Sequence, residues 1–235
     1  MFQSAIFRHS QESDLIFEYL SGIKGGIFVE VGANDPVDGS QTLRLENIGW
    51  SGLLVEPLSE HAEDLRRLRK AHVEEVACGP RSQHETIMRF KVAGVASTLA
   101  EEFINHRVVE EETREVRVVT LNSLLEKHGI DKIDLLSLDV EGYELEVLDG
   151  LSLDRYKPRF ILIEDRVRDL TRHDYLVSKG YKVVRRSGAN GWYVPAETSF
   201  PVSLFGRMQL LWKYRIEQPF RGAFDRARRR RQKRS

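Results

Sequence analysis

Four short polar clusters, each directly behind an apolar run, carry the residues whose types could do chemistry. The first, Glu30-Val31-Gly32-Ala33-Asn34-Asp35, closes the run Ile27–Val31. Gly32 lets the backbone turn sharply and approach a ligand closely, with Glu30, Ala33 and Asn34 beside it. Ser40 and Gln41 stand at the start of the next helical pattern, where free N–H groups can hold a carboxylate. The spacing from Gly32 to Gly39 does not make a dinucleotide fingerprint. The second cluster, Glu56-Pro57, follows Leu53-Leu54-Val55 and lies twenty-four residues beyond Gly32. An acid there can accept hydrogen bonds from both hydroxyls of a ribose. Gly32 and Glu56 at this spacing therefore point to a nucleoside. Ala77-Cys78 follows a weaker run and falls where an adenine edge would lie. Cys78 reads as a packing residue rather than a nucleophile, because no basic neighbour argues for an activated thiol.

The third cluster is Ser137-Leu138-Asp139-Val140-Glu141-Gly142-Tyr143-Glu144. Asp139 stands at the mouth of a buried strand, flanked by Leu138 and Val140, and an acid there needs a partner. Glu144 reads instead as a first-turn acid that favours a helix N-terminus. The fourth cluster is Glu164-Asp165, behind Phe160–Ile163. Asp139, Glu164 and Asp165 could converge as three hard oxygen donors for Mg2+. They could equally form a metal-free acid/base group for a substrate hydroxyl. Spacing does not decide between the two.

The elements that must position these clusters alternate. Strands are expected at Ile27–Val31, Leu53–Val55, His72–Ala77, Ile133–Leu138 and Phe160–Ile163, with a closing pair at Tyr181–Val184 and Gly191–Val194 around the turn Ser187-Gly188-Ala189-Asn190. Continuous β-branched runs suit strands covered on both faces. Helical patterns fall at Leu15–Leu20, Thr42–Ile48, Glu60–Arg69 (Leu65 and Leu68 inward), Leu121–His128 and Glu144–Leu148, the last two stopped by Gly129 and Gly150. Alternation of this kind implies an α/β fold with a mostly parallel sheet and right-handed crossovers, and the late close pair an antiparallel edge. An insertion spans residues 85–120, with extra strands at Ile87–Val92 and Val116–Val119 and a helical-looking piece over Leu99–Arg114. It is either a wall over the strand ends that shapes a substrate pocket or a connector.

Composition is that of an ordinary folded chain: 235 residues, 41% hydrophobic and 31% charged. No apolar run approaches a membrane span and no leader pattern opens the chain. A single cysteine excludes a disulfide framework and any multi-cysteine metal site, and suits a reducing, cytoplasmic compartment. The 36 basic and 36 acidic residues cancel overall but not locally. Leu204 to Ser235 holds eleven Lys/Arg against Glu217 and Asp225, so an acidic body precedes a strongly basic segment. Within it Leu204, Met208, Leu211, Trp212, Ile216 and Phe220 recur at three- to five-residue spacing, followed by a basic cluster from Arg226 to Arg234. Such a helix can lie on an anionic membrane, or pack on the body or a partner subunit in an oligomer. Nucleic acid is the weakest partner, since the body lacks a basic groove with interleaved aromatics.

Taken in order, these residues resemble the FkbM family of S-adenosylmethionine-dependent methyltransferases over about His9 to Pro195. His9-Ser10-Gln11 with Asp14 resembles its amino-terminal Ser-Gln motif, Phe28–Pro36 its glycine loop, and Trp50–Pro57 its strand-two motif. Ser97-Thr98 resembles a serine-rich element of its insertion, and Ile133–Leu148 its Asp-Val-Glu-Gly signature. Glu30 stands where Asp is commoner. The resemblance implies a class I methyltransferase (Rossmann-like) fold: a seven-stranded, mostly parallel sheet, helices on both faces, and an antiparallel last strand. It implies S-adenosylmethionine as methyl donor and a hydroxyl acceptor on a sugar, glycolipid, polysaccharide or polyketide. The domain then covers 25–200, behind a helical segment 1–24 and ahead of the basic segment 201–235. Gln11, Ser97, Thr98 and His106 become substrate-side candidates. Asp139 is the first choice to take up the acceptor proton, then Glu164 and Asp165, with His106 and His173 behind them. The non-catalytic alternative is a nucleoside-binding module acting through its basic segment.

Overall fold

The computed structural model describes residues 3–92, 97–99, 112–165 and 170–217. The chain divides into two compact units, with the boundary between Glu164 and Asp165.

In the first unit, α1 (Gln3–Leu20) precedes β1 (Ile27–Val31), α2 (Leu43–Asn47), β2 (Ser51–Val55), α3 (Ser59–Leu68) and β3 (His72–Glu74). After β4 (Ala77–Cys78), β5 (Thr86–Val92) and β6 (Glu112–Val119) come α4 (Leu121–Lys127), β7 (Leu135–Leu138), α5 (Glu144–Asp149), α6 (Leu153–Tyr156) and β8 (Phe160–Glu164). The second unit holds α7 (Thr171–Ser178), the antiparallel hairpin β9 (Tyr181–Ser187) and β10 (Asn190–Pro195), and α8 (Leu204–Leu211), which runs into a π-helical turn at Trp212–Glu217.

The seven-stranded sheet has the order β3-β2-β1-β7-β8-β10-β9. Its first five strands pair in parallel. Their apolar runs are buried almost without exception: Val29, Leu53, Leu54, Leu135, Leu136, Phe160 and Ile161 are all fully covered. A strand covered on both faces needs no alternation, which is why the continuous runs were legible as strands. Register is aided by Gly52 opposite Phe28, where a Cβ would lie 2.4 Å from the ring. The order reverses at β1, which has β2 on one side and β7 on the other. The crevice outside the carboxyl ends of β1 and β7 is therefore the topological switch point.

β5 and β6 of the insertion join β4 in a second, three-stranded sheet of order β4-β6-β5. It has a core of its own. Phe90, Val92, Leu99, Val116 and Val118 cluster with Leu58, behind Glu56, and with Tyr143, behind Asp139.

Several expectations shift. The run His72–Ala77 does not make one strand: Glu74-Glu75 interrupts it, β3 stops at Glu74, and Ala77-Cys78 pairs with Val118-Val119 in the second sheet. The helical-looking piece gives way to strand at Glu112–Arg114, and residues 100–111, with His106, lie outside the described residues. Leu68 is 53% exposed, because α3 ends there and buries only Ala62 and Leu65. Two short helices, α6 and α7, went unread. No described helix is long and apolar enough to cross a membrane.

Candidate active site at the sheet's switch point

The glycine loop sits directly on the loop behind β7. Gly32 holds φ +82°, and a Cβ there would lie 1.9 Å from the Asp139 carbonyl oxygen. Asp139 N–H in turn donates to Val31 O at 3.1 Å. Backbone touches backbone, so only glycine fits. Asn34 (φ 46°) and Glu141 (φ 51°) hold left-handed backbone on the same two loops. For a non-glycine residue this costs about 1–3 kcal/mol and clusters where function demands a fixed geometry.

Glu56 is buried at the end of β2. Its Oε2 accepts from Asn34 N–H at 3.0 Å and its Oε1 from Leu58 N–H at 3.0 Å. Burial pushes its carboxyl above the ordinary value against the pull of those two donors. Each oxygen still has acceptor capacity. Glu56 thus joins the strand-two loop to the glycine loop, with Ala33 buried and Pro57 half-buried beside it.

Glu30 is spent on the chain itself. Its carboxylate accepts from Thr42 Oγ1 at 2.5 Å and Gln41 N–H at 3.2 Å, and burial raises its pKa. Ser40 Oγ accepts from Leu43 N–H at 3.2 Å. The amides expected to hold a ligand carboxylate at the start of α2 are therefore occupied by Glu30 and Ser40, and that expectation is corrected. Gln41 remains a candidate through its side chain: its Oε1 is buried with no hydrogen-bond partner. The residue sequence reasoning missed is Arg69. It is buried, and its guanidinium donates to Glu46 Oε1 (3.3 Å), Pro36 O (3.3 Å), Ser40 Oγ (3.0 Å) and Thr42 Oγ1 (2.9 Å). One side chain thereby pins the loop from Pro36 to Thr42 to α2.

Ala77 and Cys78 are buried in the second sheet. Burial pushes the Cys78 thiol far up, with Glu74 adding to the effect, so it is no nucleophile.

Asp139 faces a cluster of acids. One carboxylate oxygen from each of Asp139, Glu141 and Glu164 lies within 4.8 Å of the others. Asp139 is solvent-accessible, with protein crowding round its carboxyl. Burial, then Glu141, Glu164, Glu144 and Glu12, raise its carboxyl well above the usual range. Glu144 is fully buried and its Oε1 accepts from Gly142 N–H at 2.8 Å, holding the turn behind Asp139 as a structural acid would. Glu12, buried on α1 next to the Gln11 position, was not anticipated.

Asp165 does not belong to this cluster, and the triad with Asp139 and Glu164 is corrected to one with Glu141. Asp165 is fully buried in the second unit, where its Oδ2 accepts from Tyr214 Oη at 2.6 Å and Tyr193 Oη at 3.1 Å and pairs with Arg186 at 3.3 Å. Adjacent strand-end residues point to opposite faces, so Glu164 and Asp165 part company. Burial, then Asp165, pushes the Tyr214 phenol up to about 12. His173 stacks on Tyr214 at 4.4 Å and meets Tyr193 Oη at 3.1 Å, which removes it as a base candidate.

The insertion reaches the cleft through Thr98. Its backbone pairs with Lys91 in both directions at 3.0 Å, and its Oγ1 donates to Val140 O at 3.3 Å, one residue past Asp139. Ser97 is half-buried beside it.

A parallel sheet with a glycine turn behind β1, a carboxylate behind β2 and an acid behind β7 is a Rossmann-like arrangement, which takes its ligands at the switch point. A methyltransferase FkbM domain model matches residues 30–183. The chain belongs to the FkbM methyltransferase family. Among curated proteins none matches it.

Proposed function

We propose that this methyltransferase is an S-adenosylmethionine-dependent O-methyltransferase of class I architecture, acting on a hydroxyl of a sugar, glycolipid or polysaccharide. The observation that carries the reading is the junction at β1, where the glycine loop, Glu56 and Asp139 meet around the switch point. The residues fit a methionine nucleoside: Glu56 retains acceptor capacity for ribose hydroxyls, and the orphaned Gln41 Oε1 offers a buried acceptor. When bound, the donor supplies a methyl group already activated by a positively charged sulfur.

The chain's own residues then have defined duties. Glu56 and the Gly32–Asn34 turn grip and orient, which is most of what an in-line displacement asks of a protein. The clustered acids favour a cationic guest electrostatically. Asp139, its pKa raised, accepts the proton that leaves the acceptor hydroxyl. Gln11, Ser97 and Thr98 are the acceptor-side candidates, Thr98 through its hydrogen bond to Val140. The single buried Cys78 is compatible with a reducing, cytoplasmic setting. A second reading is favoured by the spacing of Asp139, Glu141 and Glu164: together they offer a hard-oxygen set to Mg2+, which would lower the pKa of the acceptor hydroxyl.

Calorimetry with S-adenosylmethionine and S-adenosylhomocysteine tests the core of the proposal; silence toward both removes it. Transfer of labelled methyl into glycan and glycolipid fractions, with and without EDTA, tests the acceptor class and separates the two readings of the acidic cluster.

A further inference from the structure

α8 is built inside out. Ser203 caps it, its Oγ accepting from Gly206 N–H at 3.1 Å. Along one side Gly206 and Leu210 are half-buried and Tyr214 is buried, at i, i+4 and i+8. Leu204, Phe205, Met208, Leu211 and Trp212 occupy an arc of about 120° on the other side. Those five are between 58 and 76% exposed. An ordinary surface helix does the reverse and turns its apolar arc to the core. Scattered exposed apolar residues need no explanation, but five on one contiguous face do.

This face is held outward rather than left loose. Tyr214 Oη donates to the buried Asp165 carboxylate at 2.6 Å, accepts from Arg186 at 3.4 Å, and its ring stacks on His173. The π-helical turn at Trp212–Glu217 carries that anchor. Rolling the helix to hide its apolar arc would tear Tyr214 from a fully buried charge.

Charge indicates the occupant. The sequence that follows immediately, 218–235, holds Arg221, Arg226, four consecutive arginines at 228–231, Lys233 and Arg234 against Asp225 alone. An apolar face bordered by a basic run complements an apolar layer bordered by anionic headgroups. A second copy of the chain would bring the same positive run to the same interface.

We propose that the α8 face and the basic run behind it dock this protein on an anionic lipid bilayer, with Phe205, Met208 and Trp212 entering the acyl boundary. The proposal is independent of the acceptor assigned above. It is tested on the full chain by co-sedimentation with vesicles of phosphatidylcholine alone and with 30% phosphatidylserine, about as anionic as an inner leaflet. Binding is expected at least tenfold stronger to the anionic vesicles, and weaker with rising salt. Trp212 emission shifts to the blue on binding, while Trp50 and Trp192, already buried, stay constant. The triple variant Phe205→Ser/Met208→Ser/Trp212→Ser touches only exposed positions and retains its melting temperature. It loses at least tenfold in vesicle binding, and the variant with Arg228–Arg231 changed to Gln loses a comparable amount. No sedimentation with anionic vesicles overturns the proposal. So does binding that the triple variant leaves intact, which would be charge attraction alone. Concentration-dependent dimerisation abolished by the triple variant, without vesicle binding, assigns the face to a second copy instead.

Discussion

Two groups of acids flank the switch point, and they are treated in opposite ways. Glu30, Glu46 and Glu56 are supplied with donors: Thr42 and Gln41 for the first, Arg69, Lys70 and Ala71 for the second, Asn34 and Leu58 for the third. The four charges that weigh most on Asp139 are all negative. A buried carboxylate given donors holds a loop in place. An acid set among other acids is kept proton-hungry, at a cost to stability, and that is the pattern of a site prepared for catalysis or for a cation. The first group holds loops in place, and the proposed function gives the second the acceptor's proton.

The sharpest way to break this contrast is Asp139→Asn. Methyl transfer is expected to fall about 10³-fold, within the usual range for losing a positioned base, while donor affinity by calorimetry stays within a factor of a few. Thermal stability should hold or rise, because one member of a repelling cluster is gone. Normal turnover would move Asp139 into the structural group. Next comes Arg69→Met. It leaves Glu46 buried without its ion pair and frees the loop from Pro36 to Thr42, so urea unfolding should show a loss of about 3–5 kcal/mol. A loss under 1 kcal/mol would mean that Glu46 and the loop are not held as described.

Glu56→Gln keeps the shape but presents an NH2 where two backbone N–H groups point. Donor affinity should weaken about 10- to 100-fold, on the scale of a lost charge-assisted hydrogen bond. An unchanged dissociation constant would place the ribose elsewhere. The pH profile provides a finer distinction. A base must be deprotonated to act, and Asp139's pKa is raised, so turnover should climb with pH through a range above that of an ordinary aspartate. Glu141→Gln removes the largest of the charges acting on it. It should move that acid limb toward lower pH with little change in the plateau, and a collapsed plateau would show Glu141 itself at the reacting atoms.

How much of this could be read from residues alone differs by physical cause. The strands β1, β2, β7 and β8 were legible because doubly covered strands are continuous apolar runs. Their rim clusters followed by position: Gly32, Glu56 and Asp139 stand directly behind β1, β2 and β7. The Arg69 clamp was not legible. In Arg66-Arg67-Leu68-Arg69-Lys70 each basic residue looks alike, and only the end of α3 decides that Arg69 turns inward while Leu68 turns out. Asp165 was misassigned because adjacency in sequence suggested adjacency in space, whereas a strand sends neighbours to opposite faces. Ala77-Cys78 was misplaced because a two-residue strand carries too little pattern to show which sheet owns it. Thr171–Ser178 was passed over because its apolar residues, Tyr175, Leu176 and Val177, are consecutive and show no helical period.

The contact of Gly32 with the Asp139 carbonyl has one more implication. Because Gly32 meets Asp139 through main chain, any side chain at position 32 would push the two loops apart. The spacing of the two rim loops is thereby set by the peptide skeleton, with Thr98 leaning on the neighbouring Val140 peptide.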